Sequence, residues 1–99
     1  MLYVKVHESR QGKIVAVCDR ELLGAELREG GIILRVSPEF YGGELLDETE
    51  ALEIMYTAQI LNVVGERAVS LAIREKLIHP ASVISVEAVP FAMFINTMP

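Results

Sequence analysis

Alternating apolar and polar side chains predict a β-hairpin near the start of the chain. Residues 2–7 place apolar side chains on one face of a strand and more polar ones on the other. Residues 13–18 form a second apolar run. The polar residues between them, 8–12, end in glycine and predict a five-residue loop.

A helical period replaces this alternation in the middle of the chain. Asp47 and Glu50 form a capping box that begins a helix. Small and apolar residues then recur in steps of four and three, which places them on one helix face: Ile54, Ala58, Leu61, Gly65, Ala68 and Ala72. Over about 48–77 the pattern predicts either one helix kinked at Gly65 or a helix pair with a tight corner there. In a pair, Asn62 or Gly65 would serve as the cap.

The segment between the hairpin and these helices is less regular. Asp19 is expected to cap a short helix over 20–29, which Gly30-Gly31 would end. Because Gly24 in its middle disfavours a helix, the alternative is one or two helical turns followed by irregular chain. A third strand is predicted at 32–36, followed by a loop at 39–46.

The C-terminal part predicts strands at 83–89 and 91–95, with Pro90 interrupting between them. Residues 88–99 carry no charge, so this segment either pairs within the sheet or meets another chain, and homo-oligomerisation is left open. The element order predicts one α+β domain over 1–99. It has an N-terminal β-hairpin and C-terminal strands, in a mixed or mostly antiparallel sheet packed against the helix or helix pair.

Composition supports a small folded protein. The chain has 99 residues, of which 52% are hydrophobic and 23% charged, so it can bury a core and is not disordered. No uncharged apolar run approaches the length of a membrane span, and the first residues do not resemble a signal peptide. The single cysteine fits a reducing cytoplasm.

The formal net charge of −5 bears on the expected partners. Residues 39–53 include six acidic side chains and no Lys or Arg, and most basic residues are scattered singly. Direct nucleic-acid binding is therefore disfavoured, because it requires clustered cations. The acidic run is interpreted as a solvated helix start, with a patch for a basic protein or a divalent ion as the alternative.

Candidate chemistry is sparse. In the predicted hairpin register Cys18 shares a face with Leu2, whereas His7 lies on the other face of the sheet, which excludes a Cys18–His7 dyad. A slip of one residue would reverse the faces, and His79, in the connection before Pro80, remains free to approach Cys18. Cys18 is therefore interpreted as a small buried hydrophobe. One cysteine and two histidines do not supply a zinc site. We assign no catalytic, metal-binding or cofactor-binding residue, and a non-enzymatic role is favoured.

The loop at 39–44 is the best remaining candidate, because two aromatic residues beside two glycines can stack on a ligand or anchor a partner. Combined with the 62–66 corner and the end of the second strand, it gives one candidate binding surface: Cys18, Asp19, Phe40, Tyr41, Gly42, Gly43, Glu44, Asn62, Gly65 and Glu66.

Four motifs carry a family resemblance, and they occur in this order: Cys18-Asp19 with Leu22-Leu23-Gly24, Val36-Ser37 with Phe40-Tyr41-Gly42-Gly43-Glu44, Asn62-Val63-Val64-Gly65-Glu66-Arg67-Ala68-Val69, and Val89-Pro90. Together they resemble an archaeal group of proteins of roughly one hundred residues, the domain-of-unknown-function family 424. The resemblance implies an archaeal, cytoplasmic, stand-alone domain without an assigned activity. The apolar residues 91–94 replace a segment that is often more polar in that family.

The leading hypothesis is a non-enzymatic binding or accessory module that acts through a protein partner, with a link to translation or RNA metabolism suggested by association alone. The alternative is a small enzyme with a site near Cys18, at a strand end or a subunit interface. A third hypothesis is a structural subunit whose C-terminal strand completes the sheet of a neighbour.

Overall fold

The structure is a computed structural model that describes residues 1–97, in which a six-stranded sheet carries helices on one face and a two-stranded hairpin on the other. Two single 3-10 turns occur at Arg20–Leu22 and Pro80–Ser82. The strands and helices are β1 Leu2–Ser9, β2 Gly12–Asp19, β3 Glu26–Glu29, β4 Ile32–Arg35, α1 Pro38–Tyr41, β5 Glu44–Leu46, α2 Glu48–Met55, β6 Ile60–Val64, α3 Glu66–Arg74, β7 Ile84–Val86 and β8 Val89–Ile95.

The large sheet has the strand order β5-β1-β2-β6-β8-β7. All neighbouring strands are antiparallel except β2 and β6, which run parallel. The predicted α+β class, the mostly antiparallel sheet, the N-terminal hairpin and the C-terminal strands are therefore confirmed.

The N-terminal hairpin has a different register from the predicted one. Ser9 pairs with Gly12, so the turn contains two residues and the predicted five-residue loop at 8–12 is wrong. Ser9 Oγ supports this turn by accepting from Gln11 N–H and donating to Gly12 O. The slip of one residue reverses the faces of β2, and Cys18 lies opposite Tyr3. The register is favoured because Val15 and Val17 then join Leu2 and Val4 beneath the helices: these four side chains are all buried in one cluster.

The helix predicted over 20–29 is also wrong. Beyond one 3-10 turn the chain forms β3 and β4, joined by Gly30 and Gly31 at φ of 55° and 85°. Two positive φ values suit the tight turn of a hairpin, so this glycine pair reverses a strand rather than ending a helix. Leu27 lies opposite Leu34, and both pack towards the large sheet.

The helix pair is confirmed, but its connection differs from the tight corner predicted. The capping box forms as expected: Glu50 N–H donates to Asp47 Oδ1 at 2.8 Å. Helix α2 ends at Met55, and Gly65 is the N-cap of α3. Strand β6 lies between them, so the helical placement of Leu61 is wrong. A central strand is apolar on both faces and shows no alternation, which makes it hard to distinguish from a helix segment.

Two further differences concern short segments. The loop predicted at 39–46 contains α1, capped by Ser37, and the edge strand β5. Pro90 lies inside β8 rather than interrupting it. Pro90 has no N–H to donate to the carbonyl of Gly65, its neighbour just after β6. That carbonyl instead accepts from Val69 N–H at 2.9 Å, in the first turn of α3.

The two faces of the large sheet have separate cores. On the helix face, α2 and α3 cover β1, β2, β6 and β8, and the largest fully buried side chains there are Leu2, Met55, Leu61 and Leu71. On the opposite face, which we call the hairpin face, β3, β4 and α1 cover only part of the sheet. Their buried cluster contains Ala16, Cys18, Leu34, Val36, Tyr41, Val64 and Val86.

Candidate functional site

The predicted binding residues fall into two groups. Asp19, Gly65 and Glu66 meet where the parallel strands β2 and β6 end, with Cys18 one residue before. The loop residues Phe40, Tyr41, Gly42, Gly43 and Glu44 lie against β1. Asn62 belongs to neither group, because its side chain lies on the hairpin face two residues before Val64. The structure therefore does not join the predicted residues into one surface.

Asp19 is the principal polar group at the strand ends. It is buried, and its two carboxylate oxygens accept from the backbone N–H groups of Arg67 at 3.1 Å and Ala68 at 2.8 Å. A carboxylate at this position complements the positive end of α3. Gly65 leaves room for it, because a Cβ on Gly65 would lie 2.6 Å from each Asp19 oxygen. Asp19 therefore joins the end of β2 to the start of α3.

A cleft of about 250 Å³ opens beside this junction. Its polar rim carries the exposed side chains of Glu21 and Glu66, and Arg67 forms an ion pair with Glu21. Because Asp19 already occupies the first N–H groups of α3, the cleft does not offer the free helix terminus that phosphate groups bind. No three acidic, histidine or cysteine side chains within residues 1–97 cluster closely enough to hold a metal ion.

Cys18 is not arranged as a nucleophile. Its side chain is fully buried, and burial raises the pKa of the thiol from 9.0 to about 12, with the neighbouring Asp19 charge adding to the effect. A thiol with this pKa stays protonated near neutral pH, whereas nucleophilic cysteines carry lowered pKa values. The corrected register puts His7 on the same face as Cys18, but His7 Nε2–H donates to Phe40 O at 2.9 Å.

The aromatic residues of the 39–44 loop serve packing. Phe40 stacks on His7 with ring centroids 4.8 Å apart and meets Tyr41 edge-on at 5.0 Å. Tyr41 is buried, which raises its pKa to about 12, so it is unavailable as a surface anchor. Gly43 lies against the β1 backbone at Val4, where a side chain would not fit. Helix α1 is thereby fixed over β1.

Residues 1–97 leave the remaining part of the hairpin face uncovered, and the sequence reasoning missed this surface. Register places Ile14, Ile60 and Ile95 in one row across β2, β6 and β8, and Asn62 and Met93 in the next row. We call these five residues the open sheet face. Met93 and Ile95 are 50% and 51% exposed, while the others are half-buried. Within the described chain, no hydrogen bond involves the Asn62 side chain.

Comparison with known proteins adds a family to this geometry. The family model described as "Protein of unknown function (DUF424)" matches residues 7–97. The chain belongs to this family. A solved structure described as an uncharacterized conserved protein from Methanopyrus kandleri is similar at 25% identity and a TM-score of 0.81, over 99% of this chain and 95% of that one. The search among curated proteins finds no match.

The similarity to an archaeal structure over nearly the whole chain supports the family assignment made from the four motifs. Within residues 1–97, no helix has both the length and the apolar character that a membrane crossing requires.

A sequence signal for the open sheet face does exist in retrospect. Residues 60–64 read Ile-Leu-Asn-Val-Val, so Asn62 interrupts an otherwise apolar central strand. A polar residue at such a position is expected either to bond within the fold or to face a partner. On a helix, Asn62 would simply face solvent, so the signal is visible only when residues 60–64 are treated as a strand.

Proposed function

We propose that this protein is a non-enzymatic binding module that docks a protein partner on the open sheet face. The observation that carries the proposal is the uneven cover of the large sheet. One face is covered by two helices. On the other face, no helix or hairpin of residues 1–97 covers the apolar side chains that three adjacent strands present there. Contiguous exposed apolar surface marks interaction sites more often than scattered apolar residues do.

The shape of the open sheet face fits one amphipathic helix. At the usual strand spacing of about 4.8 Å, three strands span about 10 Å, which is the diameter of a helix with its side chains. Helix α1 bounds this area beside β1, where Lys5 Nζ and His7 Nε2 donate to carbonyls of Glu39 and Phe40. The hairpin of β3 and β4 covers the neighbouring rows.

The chemistry of the face favours protein over nucleic acid. None of its five residues is charged, so it offers no cations for phosphate groups. The Asn62 amide lies between apolar neighbours and can donate and accept hydrogen bonds, which would fix the orientation of a docked helix. Any role in translation or RNA metabolism would then run through the bound protein.

An affinity-capture experiment tests the proposal. The full chain is immobilised and exposed to an extract of the native host, alongside Ile60→Lys, Asn62→Ala and the control Ile33→Lys. Ile33 is 46% exposed on the β3–β4 hairpin, away from the open sheet face. Circular dichroism confirms that each variant is folded.

We expect a protein retained by the unmodified chain and by Ile33→Lys to be lost with Ile60→Lys and reduced with Asn62→Ala. Asn62→Ala guards against misfolding, because it removes the amide without adding a charge. Equal retention by all four chains would refute docking on this face. Retention of RNA that falls steeply with salt would instead indicate direct nucleic-acid binding.

A further inference from the structure

The outer edge of β8 carries backbone groups without a partner. Strand β6 pairs with β8 along residues 91–95, but β7 covers the other edge only along 89–91. Gly65 N–H donates to Pro90 O and Asn96 N–H to Gln59 O. In an antiparallel ladder this alternation directs Ala92 and Phe94 towards β6 and the N–H and C=O groups of Met93 and Ile95 outwards. Within the described chain, nothing hydrogen-bonds to those outward groups.

This edge also lacks the usual protection against pairing. Exposed edge strands commonly carry Lys, Pro or a bulge that prevents association. Residues 92–95 read Ala-Met-Phe-Ile, and Met93, Phe94 and Ile95 are 40–51% exposed. By contrast, the part of the β1 edge beyond β5 lies next to α1, which receives hydrogen bonds from Lys5 and His7.

Charge indicates which strand fits this edge. The whole chain carries a net charge of −5, so two copies repel one another over most of their surface. No charged side chain occurs from Ala88 to Pro99. A basic partner could form no ion pair with this segment, because it contains no carboxylate. The β8 strand of a second copy is equally uncharged and therefore pairs with it without charge repulsion.

We propose that two copies of this chain associate through their β8 edges, antiparallel around a two-fold axis. Met93 of one copy then lies opposite Ile95 of the second copy, and the two such pairs form four backbone hydrogen bonds. Phe94 lies opposite Phe94 of the second copy, at a non-hydrogen-bonded position where side chains come closest. The large sheets of the two copies become continuous.

The pairing is limited to three residues on each copy, because β7 already occupies the edge beside residues 89–91. Such an interface falls below the roughly 1,200 Å² of a standard stable complex. The dimer is therefore weak and concentration-dependent.

Self-association goes beyond the proposed function, because it uses the backbone edge of β8 rather than docking of a foreign helix. It also changes the docking surface. Ile95 of one copy and Met93 of the second copy meet on the hairpin face. The two open sheet faces therefore join into one surface of twice the width. A partner could then contact both copies at once.

Sedimentation equilibrium from about 5 µM to 1 mM tests the proposal, because this range covers weak, micromolar to millimolar association. The unmodified chain should shift from its monomer mass of 11.0 kDa towards twice that value. Phe94→Lys, which places two cations at the axis, should remain monomeric throughout. Ile33→Lys adds the same charge on the β3–β4 hairpin and should dimerise normally.

Met93→Pro provides a second test, because it removes an outward N–H and leaves the ladder to β6 intact. It should weaken dimerisation at least tenfold while the circular dichroism spectrum is retained. A monomeric unmodified chain at 1 mM, or dimerisation of Phe94→Lys equal to that of Ile33→Lys, would overturn the proposal. Neither result depends on capture of a protein partner, so this test is separate from that of the open sheet face.

Discussion

Replacing Asp19 by alanine tests the junction between β2 and α3. The carboxylate of Asp19 is buried and accepts from the N–H groups of Arg67 and Ala68, 48 and 49 residues away in sequence. Asp19→Ala removes both acceptors at once and leaves two donors at the start of a packed helix. Because this cap comes from another strand, its loss should weaken tertiary structure as well as the helix end.

The expected cost follows from the two contacts. A hydrogen bond to a charged group contributes about 1.5–3 kcal/mol, and loss of a helix cap costs about 0.5–2 kcal/mol. Water that enters the exposed edge of the cleft would accept hydrogen bonds from part of the two N–H groups left unpaired. We therefore expect Asp19→Ala to lower the free energy of unfolding by about 3 kcal/mol. Asp19→Asn retains one acceptor and should cost about half as much.

Urea denaturation followed by circular dichroism measures this loss, with Asp47→Ala as the matched control. Asp47 caps α2 through Glu50 N–H, but it is exposed and local to its own helix. We expect a cost of about 1 kcal/mol for that variant. If Asp19→Ala costs no more than Asp47→Ala, Asp19 does not hold the end of β2 to the start of α3.

Two other predictions concern the same region. Gly65→Ala should lower stability by at least about 2 kcal/mol more than Gly24→Ala in urea denaturation, because both glycines have positive φ but only a Gly65 side chain would meet Asp19; equal losses would contradict this. Stability should also fall as pH rises above 9, because the pKa of Cys18 is 9.0 in the unfolded chain and about 12 in the folded one. The slope is about 1.4 kcal/mol per pH unit, and Cys18→Ala should delay the fall until pH 10, where Tyr41 begins to contribute; an unchanged slope would count against the burial of this thiol.

Local patterns in the sequence predicted much of the fold. The capping box at Asp47, the cap at Gly65 and the terminal strands are set by neighbouring residues, and each occurs in the structure. The N-terminal hairpin was also predictable, but its register was not. The polar residues between the two strands are compatible with a five-residue loop and with a two-residue turn. Burial of Val15 beneath the helices requires the two-residue turn.

The errors arise where tertiary packing determines the element. Strand β6 carries apolar residues on both faces except at Asn62, so its sequence shows no period-two pattern and resembles a helix segment. The segment 26–35 forms a hairpin because Leu27 and Leu34 cover the large sheet, which no local rule indicates. The glycine pair at 30–31 is compatible with a helix end as well as with a turn, and Gly24 in the middle of the segment only disfavours a long helix.

The candidate site was predictable only in part. Asp19 and Gly65 were selected separately, but their contact depends on the parallel pairing of β2 and β6, which links distant parts of the chain. Tyr41 belongs to the candidate binding loop of the sequence prediction, and the structure buries its side chain in the hairpin-face cluster. The open sheet face depends on which rows the β3–β4 hairpin leaves uncovered, and that is a property of the assembled fold.

Hydrogen–deuterium exchange of the protein with and without its captured partner tests the docking proposal most directly. If a helix docks on the open sheet face, exchange should slow by at least tenfold around Ile14, Ile60 and Asn62, because a docked helix stabilises these strands against the local opening that exchange requires. Exchange around Glu21 and Glu66 should stay unchanged. Protection confined to the cleft beside Asp19, with the open sheet face unaffected, would contradict the account.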